Sequence, residues 1–155
     1  MTPNAVPVTV LMADDDADDR LMMQQAFHDC RLSNPLQFAQ DGVELMDYLR
    51  RRGRFAEAGC FPMPSLILLD LNMPRKDGRE ALRDIKSDPL LRQIPVVVLS
   101  TSRAEEDIAR CYAEGANSFI SKPVTFEGLI EAVCALDKYW LQIVDLPHVK
   151  AERRI

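Results

Sequence analysis

Short aliphatic runs that alternate with segments of helical spacing make up most of this chain. The clearest run is Leu66–Leu69, four consecutive large aliphatic residues that lead directly into Asp70. A short apolar run without alternation is typical of a strand buried on both faces, as in the middle of a parallel sheet. Asp70 is then expected where the strand leaves the sheet, at the edge where open α/β sheets bind ligands. Taken alone, Asp70 fits a turn residue as well as a reactive one.

The same pattern recurs along the chain and predicts five β-α units. Strands are predicted at Val6–Met12, Leu36–Ala39, Leu66–Leu69, Pro95–Leu99 and Asn117–Ser121. Helices are predicted from Asp16 to about Arg31, from Asp41 to Leu49 or Arg52, from Asp77 to about Lys86, from Ser102 to Ala113, and from Thr125 through Trp140. Strands that alternate with helices of this length predict an α/β fold, a parallel sheet with helices on both faces.

Composition limits the class of protein. The chain has 155 residues, of which 47% are hydrophobic, so we expect one domain over residues 1–155 with a buried core. The net charge of −5 argues against general nucleic-acid binding. No run approaches ~18 apolar residues, and the first residues lack the charged region of a secretory signal, so we expect no membrane span and a cytoplasmic location.

Cysteine spacing gives no sign of a disulfide framework. Cys30, Cys60, Cys111 and Cys134 are far apart and form no C-x-x-C pair, so we expect free thiols in a reducing compartment.

Acidic residues cluster where the first predicted strand meets its helix. Asp16, Asp18 and Asp19 fall in the first helical turn, where the positive end of the helix dipole favours them. That explanation does not cover Asp14 and Asp15, which lie at the strand end itself.

Polar groups follow four of the predicted strands, and a parallel sheet brings these ends to one edge. They are Asp14 and Asp15, Asp70, Ser100 and Lys122. Gathered carboxylates repel one another unless they are neutralised, and Mg²⁺ is suited to carboxylate, water and phosphate oxygens. Lysine is a compact cation that pairs with a phosphoryl oxygen, and a serine hydroxyl can donate to another. Together these groups predict an aspartyl-phosphate site in which Asp70 attacks phosphorus.

The residues at these strand ends match a known family. The chain resembles CheY-like response regulator receiver domains, the phosphoacceptors of two-component signalling. The matching motifs are Ala13–Asp16, Leu69–Pro74 with Asp77 and Gly78, Val98–Thr101 and Phe119–Pro123. The resemblance covers about residues 6–142 and leaves 143–155 as a C-terminal extension. It implies a doubly wound, flavodoxin-like sheet with strand order 2-1-3-4-5.

The resemblance also implies roles for the acidic residues. Asp70 matches the phosphoacceptor, and Asp15 matches the principal Mg²⁺ ligand. Asp14 would act on the metal largely through water, and Asn72 would offer its backbone carbonyl.

Further roles are implied for the last two strand ends. Ser100 matches the switch hydroxyl, and Lys122 matches the lysine that precedes a cis peptide bond to Pro123. Phe119 stands at the switch aromatic position, often Tyr, where a static core aromatic is the alternative. Thr101 stands where many receivers carry a small residue, and we expect it to alter the access of water to the phosphoryl group.

The end of the chain bears on the partners. The residues after the last helix, 145–155, are too few for an output domain, so we expect a stand-alone receiver. Apolar residues there favour a homodimer through the last helix and the C-terminal extension, with local packing as the alternative. They are Tyr139, Trp140, Leu141, Ile143, Val144 and Leu146. This ending and the long loop 53–64 resemble regulators associated with phytochromes, which implies a sensor histidine kinase as the phosphoryl donor.

Three other functions compete with a receiver. A Mg²⁺-dependent aspartyl-phosphate hydrolase usually carries a second aspartate two residues after the nucleophile, where this chain has Asn72, an amide that cannot act as a general acid. A nucleotide- or flavin-binding module would be expected to carry G-x-G-x-x-G or G-x-x-x-x-G-K-[ST], and the chain has neither. A degenerate receiver that binds partners without phosphorylation is disfavoured by the complete acidic set together with Ser100 and Lys122.

Overall fold

A five-stranded parallel sheet forms the centre of the computed structural model, which describes residues 7–57, 60–101 and 105–143. The strands are β1 (Val10–Ala13), β2 (Leu36–Ala39), β3 (Leu66–Leu69), β4 (Val96–Ser100) and β5 (Ser118–Ser121). Their order is β2-β1-β3-β4-β5, and every neighbouring pair is parallel. The doubly wound α/β fold with strand order 2-1-3-4-5 is therefore confirmed.

Each strand is followed by a helix. The helices are α1 (Ala17–Asp29), α2 (Gly42–Leu49), α3 (Gly78–Ser87), α4 (Glu105–Ala113) and α5 (Phe126–Leu136), with a π-helical segment at Asp137–Ile143 and 3-10 turns at Gly53–Ala56 and Leu91–Gln93. The side chains of Asp16, Asp41, Asp77 and Thr125 cap their helices by accepting backbone N–H groups of the first turn. Ser102, where the fourth helix was predicted to begin, lies outside the described residues. No helix in the described part of the chain has the length and hydropathy needed to cross a bilayer.

The unbroken apolar run in β3 serves two hydrophobic cores. Side chains of a strand alternate between the faces of the sheet. Leu66 and Leu68 belong to the cluster that α1 and α5 cover, and Ile67 and Leu69 to the cluster that α2 and α3 cover. All four are buried. A central strand covered on both sides leaves no position for a polar residue until Asp70, which explains the sequence pattern.

The segment after α2 is packed against that helix through aromatic side chains. The Tyr48 ring lies 5.1 Å from the Phe55 ring and 5.8 Å from the Phe61 ring, measured between centroids. The Tyr48 hydroxyl donates a 2.6 Å hydrogen bond to the carbonyl of Pro62. Burial raises the pKa of Tyr48 to about 12, so its hydroxyl remains a donor at neutral pH. The predicted loop 53–64 thus contributes Phe55 and Phe61 to the packing of α2.

A disulfide links the end of α1 to α5. Cys30 and Cys134 are bonded, with a Cα–Cα distance of 5.7 Å, whereas Cys60 and Cys111 are free. The expectation of free thiols is therefore wrong for this pair. The two cysteines are 104 residues apart in sequence, and the packing of α1 against α5 brings them together. Sequence spacing carries no trace of such a contact.

Reduction of the Cys30–Cys134 disulfide should destabilise the fold. Because the bond closes a long loop, the chain-entropy model gives it about 4–5 kcal/mol of stabilisation. Urea unfolding of the parent with and without a reductant measures this difference. A Cys30→Ser/Cys134→Ser variant should unfold like the reduced parent under both conditions, and a Cys60→Ser control should respond as the parent does. Equal unfolding midpoints for the oxidised and reduced parent would contradict the prediction.

Candidate functional site

Asp70 is held at the carboxyl end of β3 by its backbone and by its side chain. Its N–H donates to the carbonyl of Ala13 at 3.0 Å, and its Oδ1 accepts the N–H of Asn72 at 3.1 Å. Gly78 approaches so closely that an added Cβ would lie 2.2 Å from the Asp70 carbonyl oxygen. Only glycine therefore lets α3 begin against this strand end. Asp70 is 7% exposed, too well packed for a solvated turn residue.

Lys122 joins three carboxylates at the same edge. Its Nζ donates to Asp14 Oδ2 at 2.8 Å, to Asp19 Oδ2 at 2.9 Å and to Asp70 Oδ2 at 3.1 Å. An ammonium has three N–H donors, so these three contacts use all of them. The backbone N–H of Lys122 donates to the carbonyl of Ser100 at 2.8 Å, which fixes the end of β5 beside β4. The topology thus brings together the residues that directly follow β1, β3 and β5.

Burial and ion pairing set the charge states here. Burial raises the pKa of Asp14, while the hydrogen bonds from Lys122 and from the Asp16 N–H oppose that shift. Burial alone would lower the pKa of Lys122, but hydrogen bonds to Asp14 and Asp19 and the charge of Asp70 outweigh it and raise that pKa. Lys122 is therefore a firmly charged ammonium that compensates the buried carboxylates.

The acidic residues fit a divalent cation. Asp14, Asp15 and Asp70 each offer a carboxylate oxygen, and these oxygens lie within 4.8 Å of one another. Asp14 is buried and Asp15 is exposed, so the set opens to solvent on one side. Asp19 adds a fourth carboxylate to this set of three, and the single ammonium of Lys122 offsets only one negative charge. Hard oxygen donors with excess negative charge are what Mg²⁺ and related cations prefer.

The other predicted site residues lie at the same edge or beside it. Ser100 is buried at the end of β4, and Thr101 follows it with an exposed side chain. Phe119 is partly buried against the core. Its backbone N–H donates to the Tyr112 hydroxyl at 3.1 Å, so α4 places a hydroxyl group beside Phe119, whose own side chain has none. Asn72 is exposed two residues beyond Asp70.

The expected cis bond before Pro123 is wrong. The Lys122–Pro123 peptide bond is trans. Proline permits both isomers, and trans remains favoured by about 0.5–1 kcal/mol. The family resemblance was the sole basis for the cis expectation, and no local residue pattern required it.

Asp19 is the site residue that sequence reasoning missed. Its place in the first turn of α1 predicts a dipole-stabilised surface acid, yet its carboxylate contacts Lys122. Asp16 provides the cap, and Asp18 is exposed. The available signal was that Asp19 lies in the first turn of a helix that begins directly after the end of β1, and so close to Asp14 and Asp15.

Comparisons with known proteins agree with this geometry. A model of the response regulator receiver domain family matches residues 10–134. Response regulator Rcp1 of Synechocystis sp. is 36% identical over 141 residues, which cover 91% of this chain and 94% of Rcp1. The crystal structure of the phosphorylated cyanobacterial phytochrome response regulator RcpA superimposes with a TM-score of 0.85 at 40% identity, covering 92% of this chain and 99% of that one. The Mn²⁺-bound form of Rcp1 gives a TM-score of 0.82 at 36% identity, covering 91% and 99%.

Proposed function

The protein belongs to the response regulator receiver domain family, and from this membership we propose that Asp70 accepts a phosphoryl group from a sensor histidine kinase. The observation that supports this most directly is the position of the Asp70 carboxylate. It is buried at the sheet edge, 3.1 Å from the Lys122 ammonium, and one of its oxygens lies within 4.8 Å of carboxylate oxygens of Asp14 and Asp15. This arrangement combines a nucleophile with the charges that phosphoryl transfer needs.

In the proposed reaction, an Asp70 carboxylate oxygen attacks the phosphorus of a phosphohistidine. A P–O bond forms, the P–N bond breaks, and the kinase histidine leaves with the electron pair. Lys122 is charged and adjacent, so we propose that its ammonium pairs with a phosphoryl oxygen. The Ser100 hydroxyl is the proposed second donor, and its movement toward the phosphoryl group would change the packing near Phe119.

We propose Mg²⁺ as the resident cation. Asp14, Asp15 and Asp70 would hold it, with the backbone carbonyl of Asn72 as a further ligand. When bound, it supplies positive charge that offsets the carboxylates and the transferred group. The Mn²⁺-bound form of Rcp1 supports a divalent cation in a protein of this similarity.

We propose that the phosphorylated protein is a signal rather than a turnover intermediate. Two residues after Asp70 the chain has Asn72, whose amide cannot protonate a leaving group. The likeness to RcpA, described as a phytochrome response regulator, supports a light-sensing histidine kinase as the donor. We place this reaction in the cytoplasm.

Incubation with acetyl phosphate and Mg²⁺ should add one phosphoryl group to the parent protein and none to Asp70→Asn. The substitution is isosteric and replaces the nucleophilic carboxylate with a neutral amide. Intact mass spectrometry measures the adduct, and chelation of the cation with EDTA should abolish it. Thermal unfolding of both proteins verifies that they are folded. No adduct from several phosphodonors would contradict the proposal, and continuous phosphate release from small phosphomonoesters would favour a hydrolase.

Replacing Thr101 with alanine should shorten the phosphoryl lifetime. Thr101 is exposed at the end of β4, where its bulk would limit the approach of water to Asp70. We expect a roughly two- to tenfold faster dephosphorylation, a barrier change of about 0.4–1.4 kcal/mol. Loss of the adduct over time, followed by mass spectrometry, measures the rate. Thr101→Val keeps the bulk without the hydroxyl and should behave like the parent, whereas equal rates for parent and Thr101→Ala would refute the idea.

We also propose a homodimer through α5 and the C-terminal segment. Tyr139 is 55% exposed in the π-helical segment that continues α5, while Trp140 is packed into the core of its own chain. Val144 and Leu146, which belong to the same expectation, lie outside the described residues.

Sedimentation velocity tests this interface. Tyr139→Ser should weaken the dimer, because it removes an aromatic ring from the proposed contact. Leu21→Ser removes a side chain that is 65% exposed on α1, outside the proposed contact, and serves as the matched control. A parent protein that stays monomeric at every concentration would rule the interface out.

A further inference from the structure

The three partners of Lys122 differ in what else they can bind. Asp14 and Asp70 belong, with Asp15, to the set of carboxylates within 4.8 Å of one another. In the described part of the chain that set does not include Asp19, although Asp19 Oδ2 accepts from Lys122 Nζ at 2.9 Å. A cation held by the set would therefore draw on Asp14 and Asp70. Asp19 would be left to Lys122.

The first turn of α1 holds Asp19 toward Lys122. Asp16 Oδ1 accepts the N–H of Asp18 at 2.8 Å and that of Asp19 at 3.4 Å, which fixes the backbone of the turn. The Arg20 guanidinium donates to the carbonyl of Asp14 at 2.8 Å and ties the same turn to the end of β1. The Asp19 side chain is 30% exposed, so it reaches Lys122 from the solvent side of the site. Its contact is thus built by the helix start.

We propose that Asp19 is a positioning residue for Lys122. This inference rests on the proposed function and deepens it. An ammonium and a divalent cation compete for the carboxylates of Asp14 and Asp70. Asp19 draws the ammonium toward the rim of the site and lowers that competition. When the cation is bound, Asp19 keeps the flexible lysine side chain beside Asp70, ready to pair with a phosphoryl oxygen.

Removal of the Asp19 carboxylate should change both the affinity for the cation and the position of Lys122. Without the Asp19 carboxylate, Lys122 pairs with Asp14 and Asp70 alone and competes more strongly with the cation. When the cation binds, the ammonium then has no carboxylate partner on the solvent side of the site. The Lys122 side chain therefore moves away from Asp70 more easily. Both effects act through Lys122 and should be smaller when Lys122 is absent.

Calorimetric titration with Mg²⁺ tests this in a double-mutant cycle. Asp19→Asn should raise the Kd for Mg²⁺ roughly three- to tenfold, the range expected for coupled charged groups in contact. Lys122→Met should lower the Kd, because it removes the competing cation. In the Lys122→Met background, Asp19→Asn should have a clearly smaller effect. Asp18→Asn is the matched control, since Asp18 is exposed in the same helical turn and forms no ion pair among the described residues.

Phosphorylation by acetyl phosphate at saturating Mg²⁺ gives a second measurement. Asp19→Asn should slow it, and Asp19→Glu, which restores the charge on a longer side chain, should recover part of the rate. Circular dichroism verifies that each variant is folded.

Two results would overturn the proposal. One is an equal effect of Asp19→Asn on Mg²⁺ affinity with and without Lys122. Asp19 would then act on the cation only through its own charge. The other is an effect no larger than that of Asp18→Asn. If the parent itself accepts no phosphoryl group, the proposed function fails, whereas the Mg²⁺ titrations still decide the role of Asp19.

Discussion

Two buried carboxylates that share one ammonium are the constraint on which the rest of this structure depends. Asp14 and Asp70 are almost entirely removed from solvent, and a buried charge is costly unless it is paired. Their partner, Lys122, follows β5, two strands away from β3 across β4. The pairing is possible only if β1, β3 and β5 end at one edge. A parallel sheet in this register meets that requirement, so the chemistry and the topology depend on each other.

The N-terminal ends of the helices also stabilise the acidic groups at this edge of the sheet. In a β-α unit, each helix begins where a strand ends, so its positive N-terminal end points toward the acidic groups. For α1 that start lies directly beside Asp14, and for α3 it lies against Asp70, where Gly78 permits the close approach. An edge rich in carboxylates is therefore partly compensated by backbone dipoles even before a cation or phosphoryl group arrives.

The sequence predicted what local patterns determine. Leu66–Leu69 indicated a doubly covered strand because burial on both faces removes any alternation, and the strand order followed from the family motifs at the strand ends. Local patterns do not indicate contacts between elements that are distant in sequence. The Cys30–Cys134 bond depends on how α1 packs on α5, and the isomer before Pro123 depends on energies that differ by little. The helix dipole alone explains an acidic residue at Asp19, so the local pattern did not indicate its contact with Lys122.

The lengths of the three lysine contacts bear on how such a site remains reactive. Lys122 Nζ lies 2.8 Å from Asp14 and 2.9 Å from Asp19, but 3.1 Å from Asp70. The longest contact is thus with the proposed nucleophile. An ammonium bound mainly to Asp70 would neutralise the very oxygen that must attack and would block the cation beside it. Sharing the lysine with two further carboxylates keeps it charged and close, while its contact with Asp70 is the longest of the three. The edge therefore carries more carboxylates than one ammonium can engage. The site can hold Lys122 and still offer carboxylate oxygens to a cation.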